Sequence, residues 1–213
     1  MRFQDARAAG RALAEGLAAY DARERTIVVA VARGGVAVAL EVSKRLGLPL
    51  DLLLLRRLLV TRGPLEPICA VNVAGQPFLD DELARPGAEP ALVPYVADAV
   101  ADLESRTRAC RGTRPPAELE GRTVLLVDNG VRTGSTMLAA LRALRSSCAP
   151  GRVVAAAPVA APEALAVVRG AADDFIYLST PDPFGHVGLW YSDFARPSDD
   201  QIRAMLKEAE GRQ

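Results

Sequence analysis

The chain has 213 residues, half of them apolar, with 17 glycines and 15 prolines, and its 26 basic and 26 acidic side chains cancel to a formal net charge of zero. That suffices for one globular domain with a substantial core, and it provides no overall field to draw in nucleic acid, though a small anion remains suitable. Cys69, Cys110 and Cys148 lie far apart beside a single histidine, which argues against a zinc site or disulfide framework and for thiols in a reducing compartment.

Asp5, Arg7, Arg11 and Glu15 interrupt the alanine-rich start, so no signal-peptide core is expected there. Residues 5–20 instead place Ala9, Leu13, Leu17 and Tyr20 at helical spacing. Thr26–Val31 is a short β-branched run, closed by Ala32-Arg33-Gly34-Gly35 and followed by an apolar stretch, Val36–Leu46, long enough for a helix that Gly47 and Pro49 end. Asp51–Leu55 is a second continuous apolar run. Strands apolar on both faces and separated by helices imply an α/β domain, an open parallel sheet flanked by helices.

Residues 57–67 mix Arg, Gly and two Pro without a period and are expected to form a mobile loop before a strand at Ile68–Val73. Residues 74–77 are a turn, as of a hairpin. Leu92–Cys110, with Val96, Val100 and Leu103 on one side, predicts a long helix. A strand follows at Thr123–Asp128, then a polar loop and a helix carrying Met137, Leu138, Leu141 and Leu144 on one stripe. Val153–Ala157 and Phe175–Leu178 are further strands around a short helix at Glu163–Arg169. No apolar run, Val153–Pro162 included, is long enough to cross a bilayer. Thr180–Asp193 is aperiodic and rich in Pro, Gly and aromatics, and Ser198 caps a terminal helix. A soluble, cytoplasmic protein without nucleic-acid or membrane partners is expected.

The informative segment is VLLVDNGVRTGSTM, residues 124–137. A buried strand ends in a carboxylate, and small polar residues then run into a helix, at the edge of a parallel sheet where ligands bind. Gly130 and Gly134 permit close backbone approach, while Thr133, Ser135 and Thr136 place hydroxyls and amides at a helix N-terminus, the parts of a phosphate cradle. Asp128 suits ribose hydroxyls and can support Mg²⁺; Asn129 adds hydrogen bonds without charge. By themselves these residues also fit an ordinary Asp-Asn-Gly turn before a capped helix.

The same segment resembles the phosphoribosyl-diphosphate motif of type I phosphoribosyltransferases, in which an apolar strand meets two acidic residues, a short insert, then Thr-Gly and a hydroxyl-rich helix start. Asp128 matches the first acidic position and Asn129 the second; Gly130 and Val131 fill the insert, Arg132 precedes Thr-Gly, and Thr133, Gly134, Ser135 and Thr136 match the 5-phosphate loop. Val29–Leu40 is similar to the family's diphosphate loop, with Arg33, Gly34 and Gly35 as its contacts. Residues 57–67 stand where the family's flexible loop stands, with Arg56, Arg57 and Arg62 as cations, Arg56 toward the diphosphate. Residues 181–194 resemble the late segment of a bacterial subgroup whose acceptor is unassigned, and residues 180–197 match the family's small hood over the acceptor, with Trp190, or else Tyr191 or Phe184, against its ring. His186 is expected to be structural.

The resemblance implies a single phosphoribosyltransferase-like domain over residues 1–213, often a homodimer in relatives. It would bind 5-phosphoribosyl 1-diphosphate with Mg²⁺ and transfer the phosphoribosyl group to a nitrogenous base with release of diphosphate. Asp128 and Arg33 would be its catalytic residues and Asp128 its metal contact. Two positions depart from the pattern. Asn129 replaces a carboxylate, and Arg132 stands where some relatives carry a general base, which an arginine cannot be at neutral pH. Arg132 would bind phosphate, block the purine side of the pocket, or mark a catalytically impaired sensor that retains binding.

Overall fold

A computed structural model describes residues 1–20, 24–59, 67–73, 76–79 and 93–211. The elements run α1 (Ala6–Gly16), β1 (Thr26–Val31), α2 (Ala32–Leu46), β2 (Leu50–Leu59), β3 (Pro67–Val73), β4 (Gln76–Leu79), α3 (Val93–Arg111), β5 (Thr123–Val127), α4 (Ser135–Cys148), β6 (Arg152–Val159), α5 (Pro162–Arg169), β7 (Asp174–Ser179) and α6 (Asp199–Glu210). They build one seven-stranded sheet in the order β4-β3-β2-β1-β5-β6-β7. Strands β2, β1, β5, β6 and β7 are parallel, as the apolar runs imply, and β3 and β4 extend the β2 edge in antiparallel sense. Among the described residues no helix is long and apolar enough to cross a membrane.

Alternation along each central strand divides the core in two. Ile27, Val29 and Val31 of β1 join Val124 and Leu126 of β5 under α4 and α5. Val28 and Ala30 join Leu125 and Val127 on the other face, under α1, α2, α3 and α6. Gly10 lets α1 lie directly on α2, since a Cβ there would stand 2.5 Å from the Val38 carbonyl oxygen.

Three expectations are revised. Helix α2 begins at Ala32, so Arg33, Gly34 and Gly35 form its first turn rather than a loop. Residues 57–59 and 67 of the expected loop belong to strands instead, because Leu59 pairs with Pro67 and Arg57 with Cys69 in an antiparallel ladder. Pairing with a neighbouring strand overrides the missing period. Residues 60–66, Arg62 among them, lie outside the described residues, as do residues 74–75 of the expected turn, whose Gln76 and Pro77 belong to β4. The buried face of α3 runs through Ala99, Leu103 and Cys110, with Val100 only half-buried. The terminal helix forms as expected, with a reciprocal capping box between Ser198 and Gln201.

Asp51 is the buried charge of β2, 3% exposed. Its carboxylate accepts the amides of Leu52 and Ala117, both at 2.8 Å, and pairs with Arg111 at 2.6 Å. Arg111 also donates to the Leu52 carbonyl at 2.8 Å, tying the end of α3 to the sheet. Removing one partner of such a pair strands the other in low dielectric. Asp51→Ala is expected to lower unfolding free energy by about 3–5 kcal/mol, read from the denaturant midpoint.

Helix α6 is also held from outside. Glu208 pairs with Lys44 and, at 3.0 Å, with Arg7, which in turn reaches Glu41 at 2.7 Å. Hydrogen bonds from Arg7 and then Lys44 bring the Glu208 carboxyl down from 4.5 to about 2. A depressed folded-state value contributes stability above the unfolded value and loses it as pH falls through the folded one, here between about 4.5 and 2. In low salt the midpoint should fall less over this range in Glu208→Gln than in the parent, and added salt should shrink the difference, because the pair is partly exposed.

Candidate active site

The connection leaving β1 carries the chain outward to β2, and the connection leaving β5 carries it the other way to β6. The crevice beyond the carboxyl ends of β1 and β5 is therefore a topological switch point, where open α/β sheets bind ligands. Register places Ala30 beside Val127, so Arg33 and Asp128 emerge at one level. A cleft of about 730 Å³ opens there, walled by Arg33 and Gly34 of α2, Arg56 of β2, Asp102 and Arg106 of α3, Asp128–Gly134 and Thr136, and residues of the 186–196 segment.

The loop after β5 is fixed to the sheet through Val131, 4% exposed. Its amide donates to the Val159 carbonyl at 2.9 Å and its carbonyl accepts from Ala161 at 2.7 Å. The loop's side chains are thereby turned outward on either side of a buried pin. Asp128 is half-buried, and its carboxylate accepts the Asn129 amide at 2.7 Å. Gly134 caps α4 with φ +84°, a left-handed conformation in which glycine is favoured. Thr133 and Ser135 share a hydroxyl hydrogen bond at 3.0 Å at the helix entrance.

Two helix N-termini face this cleft, and neither α2 nor α4 has a side-chain cap. By contrast α1 and α6 are capped by Asp5 and Ser198. First-turn amides without a capping side chain are a ready anion site. Gly34 and Gly35 bring α2 close enough to matter: a Cβ on Gly34 would lie 2.5 Å from the Asn129 side-chain nitrogen Nδ2, and one on Gly35 would lie 2.6 Å from the Val127 carbonyl oxygen. The glycines thus serve close packing. Gly34 lines the cleft, whereas Gly35 is buried behind it and Ser135 lies off the wall.

The expected diphosphate cations are present and already paired. Arg33 reaches Asp199 at 2.9 Å and Arg56 reaches Asp102 at 3.2 Å, with Arg106 on the other Asp102 oxygen at 3.0 Å. Arg132 is exposed on the cleft wall.

The aromatic expectations need correction. Trp190 is absent from the cleft wall; its indole donates to the Phe184 carbonyl at 3.1 Å and its ring packs on Phe184 at 6.1 Å. Phe184 and Tyr191 are buried. Phe194, Val187, Gly188, Arg196 and His186, expected to be structural, line the cleft instead. A proline- and glycine-rich segment has no period from which to assign facing, so sequence offered no means of choosing among these side chains.

Sequence also did not reveal that Tyr191 fastens the segment: its hydroxyl donates to the Asn129 carbonyl. Burial first, and then the negative charge of Asp128, raises the phenol's pKa, so the donor stays protonated. Residues 3 and 4 clamp the other side, with Phe3 donating to Trp190 and Ser192 and Asp193 donating back to Phe3 and Gln4, each at 2.8 Å.

A type I phosphoribosyltransferase fold with its motif at the switch point is what these features define, and the chain belongs to the phosphoribosyl transferase domain family, which matches residues 2–189. It is 36% identical over 212 residues to proteins of Mycobacterium tuberculosis strains CDC 1551 and H37Rv, each named "Putative phosphoribosyl transferase". The alignment takes in 97% of this chain and 47% of those proteins, so the chain spans about half their length. TT1426 of Thermus thermophilus superimposes with a TM-score of 0.80 at 37% identity, covering 98% of this chain and 99% of that one. A hypothetical Neisseria gonorrhoeae protein with bound ppGpp shares the fold at a TM-score of 0.52 and 14% identity, covering 98% of each chain.

Gly35→Ala drives a methyl into backbone at the end of β5. It is expected to cost about 1–3 kcal/mol in chemical denaturation, whereas Gly112→Ala, with no atom within 4 Å of its Cβ, meets only the strain of its φ of +64° and leaves the cleft intact. Tyr191→Phe is expected to cost roughly 1 kcal/mol and to speed amide exchange in residues 187–194.

Proposed function

We propose that this chain binds 5-phosphoribosyl 1-diphosphate with Mg²⁺ and transfers its phosphoribosyl group to a nitrogenous base, releasing diphosphate. The observation that carries the reading is the convergence of two uncapped helix N-termini on one carboxylate, Asp128, at the switch point. One carboxylate between two helix N-termini is the arrangement that a sugar with phosphate at one end and diphosphate at the other would call for. Family membership supports the transferase class.

In this reading the first turn of α4, with the Thr133 and Thr136 hydroxyls, holds the 5-phosphate. Asp128 accepts hydrogen bonds from the ribose hydroxyls, helped by Asn129. Arg33, Arg56 and the first-turn amides of α2 meet the diphosphate, each arginine exchanging a carboxylate for phosphate oxygens. The bond from the anomeric carbon to diphosphate breaks, its electrons leave with the diphosphate, and a nitrogen lone pair of the base forms the new bond to that carbon. The protein contributes alignment and charge: Asp128 lies near the positive charge that develops on the ribose, and the arginines lie near the negative charge that departs.

Among the described residues no three metal-ligating side chains cluster. As a single carboxylate, Asp128 is the residue that would help hold Mg²⁺, with the substrate completing the site. The ion would supply charge neutralisation on the leaving group.

Asn129 favours a second reading, a regulatory protein that binds the same ligand with little turnover. Its uncharged amide is packed over Gly34 where the family motif has a second carboxylate. Diphosphate release during incubation with purines, pyrimidines and simple amines distinguishes the two. Titration calorimetry with 5-phosphoribosyl 1-diphosphate and Mg²⁺ tests what they share. Asp128→Ala should weaken binding about 100-fold with circular dichroism unchanged, since two charge-assisted hydrogen bonds are lost. Unaltered affinity in that variant would overturn the assignment.

A further inference from the structure

The cleft wall holds five arginines, Arg33, Arg56, Arg106, Arg132 and Arg196, against two aspartates, Asp102 and Asp128. In a chain of zero net charge this is a local excess of three positive charges. Three of the arginines are spoken for: Arg33 by Asp199, and Arg56 and Arg106 by Asp102. Arg132 and Arg196 are exposed and have no carboxylate partner among the described residues. Arg196 belongs to the 186–196 segment, whose Val187 closes over the loop that carries Arg132 so tightly that a Cβ on Gly130 would lie 2.7 Å from it.

Three carbonyls in and beside that segment are already taken up. The Phe184 carbonyl accepts from Trp190, the His186 carbonyl from Leu189 at 3.1 Å, and the Gly188 carbonyl from Tyr191 at 3.2 Å. The side chains it turns to the cleft are His186, Val187, Phe194 and Arg196, with no carboxylate and no amide. The charged side chain this segment turns to the cleft is Arg196, and Arg132 lies on the same wall. A neutral purine or pyrimidine offers these cations only lone pairs. A ring bearing a negative group offers them a charge.

The flat surface for such a ring is Phe194, 37% exposed. Tyr191 backs it at 5.3 Å between centroids, and Gly188 seats it, since a Cβ there would lie 3.0 Å from the phenylalanine ring. We propose that the acceptor is a nitrogen heterocycle carrying a carboxylate or similar anionic group, its ring against Phe194 and its charge met by Arg196 and Arg132. The proposal rests on the phosphoribosyl reading of the neighbouring loop and adds the chemical class of the second substrate. Guanidinium pairs bidentately with a carboxylate, a geometry the corresponding amide cannot match.

Calorimetry on the whole chain tests it, with ribose 5-phosphate and magnesium diphosphate present to fill the donor side without turnover. Uracil-6-carboxylate is compared with uracil, and pyridine-3-carboxylate with its carboxamide. At least one carboxylate is expected to bind about tenfold or more tighter than its neutral partner, as one charge-assisted pair implies. Arg196→Gln should erase that preference, Arg196→Lys should restore part of it, and ribose 5-phosphate affinity should stay within about twofold in both.

Equal affinities within both pairs, no binding by either carboxylate, or a preference that survives Arg196→Gln would overturn the proposal. Equal competition by acetate would do so too, by showing anion binding without ring recognition. Failure of ribose 5-phosphate to bind strikes the donor assignment instead. The four rings are then titrated into the chain alone, where the carboxylate preference is still expected and its absence is fatal to the proposal.

Discussion

The contact on which the rest depends is the approach of the first turn of α2 to the end of β5. Gly34 and Gly35 lie against Val127, Asp128 and Asn129 at distances that leave no room for a β-carbon. Because β1 and β5 are in register, that contact fixes the separation between a helix N-terminus and a carboxylate. The cleft is a by-product of this packing. A side chain at Gly35, which meets backbone, would push apart the two elements whose closeness creates the site, whereas one at Gly34 would displace the Asn129 side chain.

A second constraint gives the loop its shape. Val131 pairs with Ala160 as an isolated bridge, continuing the sheet for one residue beyond the strands. Asp128 and Asn129 precede that pin and Arg132 and Thr133 follow it, so the loop is stretched across the cleft floor. With uncapped helices at both sides, part of the site's electrostatics resides in backbone amides, whose positions the sheet sets and whose charge does not titrate.

Much of this was legible in the sequence because the signals were local. Thr26–Val31 and residues 123–128 announced themselves as buried strands, and the glycine and hydroxyl pattern after Asp128 identified the loop. What escaped depended on partners distant in the chain. Residues 57–59 become strand because β3 pairs with them. Arg33 and Arg56 were visible as cations, but Asp199 and Asp102 lie 166 and 46 positions away, and nothing local marks them as partners. The aromatic segment failed most clearly: Trp190 has the larger ring, yet its indole N–H is satisfied by a neighbouring carbonyl, and Phe194, with no polar handle, faces the cleft.

The clamp between residues 3–4 and 190–193 has a practical corollary. The strand-like pairing of the chain's beginning with its late segment makes Phe3 a structural neighbour of Tyr191, their rings 5.8 Å apart, and Tyr191 in turn touches both the Asn129 carbonyl and Phe194. Changes to residues 3 and 4 are therefore felt within two contacts of the loop after β5, although they lie far from it in the chain.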